Sequence, residues 1–331
     1  MVPVFVLTIF IAVLCSVQGR STGKASFERS EEDVELDRTS TNSVEEEDFS
    51  ASTLIEKANR NLGERPGETR VILGDIAVNT GLINADPCTA RTCKWLKSSD
   101  GNVYVPYVIS NPYSGRERSV IEGGLQTISA STCVRFLPRT NQKDFVDIQS
   151  QAGCFSYIGR QRNGQVVSLH RNGCVHLSVV QHELLHALGF NHEHSRSDGD
   201  SHVQTLTRNI LPGMENNFEK INTINLGTPY DYNSVMQYSR FAFSRNEQPA
   251  ILPIPDNNAV IDRATQMSPI DILRINRLYN CSITCVYMIC PFAAMFVFKF
   301  TVGLLALMLV SSAWVEELTE VSDTGYGATV P

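Results

Sequence analysis

The 331-residue chain has no internal repeat, which excludes a solenoid or a propeller. It also has no run of Lys and Arg interleaved with aromatics, so nothing in it points to nucleic acid as a partner. Positive charge is missing from residues 1–19 as well, although a secretory leader normally begins with Lys or Arg. The other marks of such a leader are there: an apolar run over residues 4–14, then small and polar residues ending in Val17-Gln18-Gly19. The run is too short to span a membrane, so residues 1–19 are expected to be a signal peptide. Histidine is scarce too, with seven in the whole chain.

Three of those seven fall between positions 182 and 192, in His182-Glu183-Leu184-Leu185-His186-Ala187-Leu188-Gly189-Phe190-Asn191-His192. On a helix, His182 and His186 project from one face and can grip one ion. Glu183 projects beside them, within reach of a water held by that ion. Gly189 can take the backbone angles that end the helix, and the turn brings in His192 as a third ligand. A bare His-Glu-x-x-His would be weak alone, but this extended form is the metzincin pattern of a catalytic zinc site. The competing reading, a buried helix with hydrogen-bonded histidines, leaves the three-imidazole clustering unexplained.

Charge divides the chain into parts. Residues 20–83 carry 8 basic and 14 acidic side chains, with clusters at Glu31-Glu32-Asp33 and Glu45-Glu46-Glu47-Asp48. Such an acidic, aromatic-poor stretch reads as a solvated leader segment. Residues 84–281 are close to neutral, with 19 basic and 17 acidic groups, so the overall net charge of −7 belongs to the flanks. Six of the nine cysteines, Cys88, Cys93, Cys133, Cys154, Cys174 and Cys281, lie in that neutral region. An even number behind a signal peptide implies disulfides formed in an oxidising compartment, and spacing alone leaves 15 pairings open.

Alternating and helical periodicities place strands at 103–109, 145–149, 155–158 and 166–170. Helices are expected over 117–132, 175–188 and 269–278, with loop-rich chain after Arg196. The predicted class is α+β: a twisted mixed sheet and a long zinc helix in an upper half, and an irregular lower half closed by a C-terminal helix. A cleft between the halves would take the substrate.

A downstream segment, Tyr232-Asn233-Ser234-Val235-Met236-Gln237-Tyr238, supplies the Met-turn that metzincins carry beneath the metal. With it the chain resembles the astacin family of zinc metalloendopeptidases. The likeness runs from about Asn84 to Cys281, through HELLHALGFNHEHSR, Gly153-Cys154-Phe155-Ser156-Tyr157-Ile158-Gly159, Ser234-x-Met236-x-Tyr238 and Leu278-Tyr279-Asn280-Cys281. The resemblance implies one Zn2+ on His182, His186 and His192, Glu183 as general base, and peptides or proteins as substrates. It implies that Tyr238 ligates zinc at rest and swings out to the oxyanion, and that Met236 is structural.

It further implies the bridges Cys133–Cys281 and Cys154–Cys174. The additional pair Cys88–Cys93 resembles the hatching-enzyme and nephrosin branch of fish relatives. Leu73-Gly74-Asp75 resembles the family's pro-segment motif Phe-x-Gly-Asp, with Val71 or a neighbouring aliphatic residue where the Phe would stand. By that likeness residues 20–83 are a pro-segment that inhibits its own enzyme, with Asp75 ligating zinc in the zymogen only. Cleavage at Ile83–Asn84 would then free an amine to reach the carboxylate of Glu193. No basic residue stands immediately before that bond, and Arg70 and Arg91 are the nearest trypsin-like sites.

The tail, 282–331, fits this pattern poorly. Residues 286–311 are apolar enough for a transmembrane segment, although Lys299 near the middle costs about 2.5–3.5 kcal/mol on an insertion scale. The alternative is a reading-frame artefact. The expectation is therefore a secreted zymogen, with membrane anchoring through 286–311 as the alternative localisation. A catalytically silent binding protein of the same fold is the remaining reading. It would lack a ligand or the base, and here all are present.

Overall fold

The computed structural model describes residues 50–62, 69–78, 93–110, 112–261 and 263–282. The expected signal peptide, the acidic clusters, the Ile83–Asn84 bond, Cys88 and the apolar segment 286–311 lie outside these residues. Among the described residues, no helix is long and apolar enough to cross a membrane.

A seven-stranded mixed sheet carries the upper half. Its strands are β1 (Val71–Ile72), β2 (Ile76–Ala77), β3 (Val103–Ile109), β4 (Val134–Pro138), β5 (Phe145–Gln149), β6 (Cys154–Ser156) and β7 (Gly164–Leu169). Their order is β1-β2-β6-β7-β5-β3-β4. The β3–β4, β3–β5 and β5–β7 pairs are parallel, whereas β6 runs antiparallel to β7. The outermost strands β1 and β2 belong to the expected pro-segment, and β2 adds to β6 through Ile76 opposite Ser156.

Two helices pack against this sheet: α2 (Gly115–Ser131) and α3 (Leu177–Leu188). The core between them includes Val103, Val105, Ile121, Leu125, Ile128, Val146, Ile148, Val167, Leu169, Val180 and Leu184. In α2, Ser114 and Glu117 form a reciprocal capping box, which fixes the helix start two residues before the sequence-based boundary. A short antiparallel pair, β8 (Val203–Thr205) with β9 (Ile251–Pro253), organises the lower half around Phe218, Tyr230, Ile251 and Ile261. The last helix among the described residues is α4 (Pro269–Leu278), begun by a second capping box from Ser268 and Asp271, with Pro269 in the first turn.

The bridges Cys133–Cys281 and Cys154–Cys174 are both formed. The first ties the start of β4 to the residues after α4 across a separation of 148 residues. In the chain-entropy picture such a closure stabilises the fold by about 5 kcal/mol. Cys93 is disulfide-bonded as well.

Residues 51–59 were given no helix by the sequence reading, yet they form α1 (Ala51–Asn59), capped by Ser50. Ala51 and Ile55 are buried in the core and Leu54 and Ala58 pack against it partly buried, a stripe of two alanines and two larger residues that is only two turns long and so weak as a sequence signal.

One close approach sets the distance between α2 and α3. A Cβ on Gly124 would sit 2.4 Å from Val180 Cγ1. In an open helix Gly→Ala gains about 1 kcal/mol. Here the sign should reverse, and Gly124→Ala should destabilise by about 1–3 kcal/mol in denaturant unfolding. A variant as stable as the parent would show that the two helices can part freely.

Candidate metal centre and its plug

The last turn of α3 is held at every exposed carbonyl. Gly189 takes φ 110° and gives its N–H to His186 O, while Phe190 N–H reaches Leu185 O. Trp95 Nε1 donates to Ala187 O and Tyr279 Oη to Leu188 O, both at 2.9 Å. Helix ends leave such carbonyls without internal partners, so these contacts fix where α3 stops and where the chain turns.

His182 and His186 project from α3, and His192 returns after the turn. Their ring centroids lie 4.7 to 5.3 Å apart. His182 Nδ1 bonds Val235 O at 2.8 Å and His186 Nδ1 bonds Phe190 O at 2.7 Å. A carbonyl can only accept, so each Nδ1 carries the proton and each Nε2 presents a bare lone pair. All three Nε2 atoms face the carboxylate of Asp75: His182 at 3.0 Å, His186 at 3.4 Å and His192 at 3.0 Å. The four ligand atoms lie within 4.8 Å of one another, and all four residues are buried.

This donor set fits zinc. Three imidazole nitrogens and a carboxylate oxygen suit that ion, and a tetrahedron of roughly 2.0–2.1 Å bonds has edges of about 3.3 Å. The separations of Asp75 Oδ1 from His186 and His192, 3.4 and 3.0 Å, are close to such edges, while His182 meets the other oxygen, Oδ2, at 3.0 Å. His186 Nε2, His192 Nε2 and Asp75 Oδ1 are buried without a hydrogen-bond partner, which is what ligand atoms need. Burial drives His186 down to about 4 and lowers His192 too, so both rings favour the neutral form that binds metal. Burial raises Asp75, but its close contact with the imidazoles of His192, His186 and His182 outweighs it and holds the carboxyl well below its usual range.

Glu183 follows the first ligand on α3 and is fully buried. Neither of its carboxylate oxygens has a hydrogen-bond partner. Burial, and then the charge of Asp75, push it well above the usual carboxylate range. Tyr238 is also buried, and its hydroxyl donates to Leu73 O at 2.6 Å. The resemblance led to a resting tyrosine on zinc; here its hydroxyl is taken by the chain before Asp75.

Met236 and its neighbours bracket the ligands. Val235 O holds His182, and Met236 O accepts the N–H of Glu193, the residue after His192, at 2.9 Å. From α4, Asp271 accepts from Ser234 Oγ and from Val235 N. Glu193 is not free to await a partner: Arg274 of α4 pairs with both its oxygens at 2.5 and 2.7 Å. Arg196 adds a longer contact at 3.4 Å, and Asp231 N donates at 2.7 Å.

Asp75 itself is delivered by a strained turn. Leu73 has φ 49° and Gly74 φ 84°, and a Cβ on Gly74 would lie 2.6 Å from Tyr238 Oη. Only glycine fits there. From α1, Asn59 Nδ2 donates to Gly74 O and Cys154 O, and Asn59 Oδ1 accepts from Cys154 N at 2.7 Å. One side-chain amide thus joins α1, the turn and the edge of β6. Ser52 Oγ and Glu56 Oε1 from the same helix accept from Ser239 N and Phe243 N on the opposite rim.

The sequence reading missed Asn59, Arg274 and Asp271. The Ser268-Pro269-x-Asp271 start signal for α4 could have flagged the last of these. A lone Asn or Arg carries no such signal.

A helix ending at a glycine, three imidazoles, an adjacent acid and a methionine turn define a metzincin-type metal hydrolase. The family model Astacin (Peptidase family M12A) matches residues 90–280. High choriolytic enzyme 1 of Oryzias latipes is 47% identical over 209 residues, 63% of this chain and 77% of that protein. Low choriolytic enzyme of the same fish is 47% identical over 190 residues, 57% of this chain and 70% of its own. The solved structure of high choriolytic enzyme 1, a hatching enzyme zinc-protease, superposes with a TM-score of 0.58 at 48% identity, covering 60% of this chain and all of that one. The chain belongs to the astacin family. It is a zinc metalloendopeptidase, acting on protein or peptide substrates.

If Asn59 joins helix, turn and sheet as its contacts suggest, Asn59→Ala should loosen all three by about 1–3 kcal/mol. Hydrogen exchange at the β6 amides of the unprocessed chain should then speed up about tenfold or more. Unchanged protection would mean that α1 docks through its apolar face and the Ser52 and Glu56 contacts without help from Asn59.

Proposed function

We propose that this chain is a secreted zymogen whose zinc endopeptidase activity is released when the segment ending near Ile83 is removed. The observation that carries the reading is the Asp75 carboxylate, 3.0–3.4 Å from all three ligand nitrogens, where a tetrahedral ion keeps its fourth position. While it is there, no solvent can be activated. The buried Leu73-Gly74-Asp75 turn and the Asn59 contacts hold it in place.

His182, His186 and His192 would hold the ion. When bound, zinc lowers the pKa of a water and polarises the substrate carbonyl. Glu183, an acid whose proton affinity burial has raised, takes one proton from the attacking water and passes it to the leaving amine. Tyr238, released from Leu73, donates its hydroxyl to the oxygen that becomes negative as the carbonyl is attacked. Met236 supports the ligands from beneath, and the pair of Glu193 with Arg274 fixes the segment that carries His192.

The named relatives are choriolytic enzymes, which supports egg-envelope or other extracellular proteins as substrates. Cleavage at Ile83–Asn84 would present a new amine to Glu193, which must then share that carboxylate with Arg274.

Two variants test the reading. Glu183→Gln should still bind one zinc per chain while peptide cleavage falls by at least about a hundredfold. Retained cleavage would remove Glu183 as the base. Full-length Asp75→Ala should cleave a peptide substrate without processing, whereas the parent should not; an inactive Asp75→Ala protein with bound zinc would refute the carboxylate plug.

A further inference from the structure

His194 lies two residues beyond the last ligand, is buried, and is absent from the metal-holding group. Its ring is the nearest to that of Tyr238, with centroids 4.0 Å apart and planes at 32°. His192 follows at 4.6 Å and 52°, and Phe243 and Phe218 stand at 5.8 and 6.0 Å. His194 is itself held firmly. Its Nε2 donates to Asn217 O at 2.9 Å, and its carbonyl accepts from Lys220 Nζ at 2.7 Å. Gly199 packs so closely that a Cβ there would lie 2.4 Å from His194 O. The ring also lies stacked toward His192, with centroids 5.7 Å apart and planes at 20°.

In the structure the Tyr238 hydroxyl is anchored by Leu73, a residue of the segment to be removed. Once Leu73 leaves, that hydrogen bond is lost, and the phenol's direction depends on the rings it packs against. His192 is committed to the ion. His194 is the one fixed ring in close contact that has no other task in the site.

We infer that His194 is a positioning residue for Tyr238: its anchored imidazole is the surface on which the phenol stacks, holding the hydroxyl toward the reacting carbonyl. This rests on the role given to Tyr238 above. The Asn217 contact fixes the proton on Nε2, so the ring cannot turn over without losing that bond.

A double-mutant cycle on the activated, zinc-loaded enzyme tests this, using His194→Ala, His194→Phe, Tyr238→Phe and the His194→Ala/Tyr238→Phe pair. With a fluorogenic peptide, His194→Ala should lower kcat roughly ten- to a hundredfold and leave KM within about twofold. His194→Phe, which keeps a flat ring, should recover most of that loss. The double variant should be no slower than Tyr238→Phe alone, and zinc affinity by chelator competition should match the parent throughout. Multiplicative losses in the double variant, or weakened zinc binding in His194→Ala, would overturn the inference. If Tyr238→Phe kept full kcat, the role of Tyr238 itself would fall, a result separate from an unaltered His194→Ala beside a slow Tyr238→Phe.

Discussion

Two neighbouring carbonyls fix the distance between the first and last metal ligands. Val235 O receives the ring proton of His182, and Met236 O receives the main-chain N–H next to His192. The ligands come from a helix and from the loop after it, so nothing in α3 alone would hold them at a common point. The turn supplies that constraint. It is gripped in turn by Asp271, which sits in the first turn of α4 and accepts from Ser234 and Val235. A buried carboxylate with this many donors is well compensated for its desolvation. The C-terminal helix is therefore part of the metal site although it contributes no ligand.

The same helix carries Arg274, whose fork meets both oxygens of Glu193. Two buried charges of this kind are costly unless they are paired and hydrogen-bonded, and here the Thr228 hydroxyl, Pro229 O and Asp231 N complete the set. The structure shows a carboxylate already neutralised. The Cys133–Cys281 bridge then ties the end of α4 back to the sheet. The upper and lower halves are thus joined through charge, hydrogen bonds and one covalent link.

The catalytic helix was readable from the chain because its constraints are local. Ligand spacing of four, a glycine at the stop and an acid beside the first histidine all follow from helical geometry. Strands β3 and β5 were legible for the same reason, through alternation over adjacent residues. What escaped were elements stabilised from a distance. Helix α1 is nine residues long with a narrow apolar face, and Ser52, Glu56 and Asn59 hold it to residues far along the chain. Strand β2 is two residues long, paired with the equally short β1 on one side and with β6, distant in the chain, on the other. Arg274 reads as an ordinary surface residue of an amphipathic helix until Glu193, 81 positions away, is brought beside it.

The turn that brings Asp75 to the imidazoles engages every main-chain oxygen it has. Leu73 O is taken by the Tyr238 hydroxyl, Gly74 O by the Asn59 amide, and Asp75 O by the N–H of Ser156. Only side-chain oxygens are left facing the ligand nitrogens. The backbone of this turn is thus fastened at three successive points, so the carboxylate stands on a rigid mount and not at the end of a loose strand.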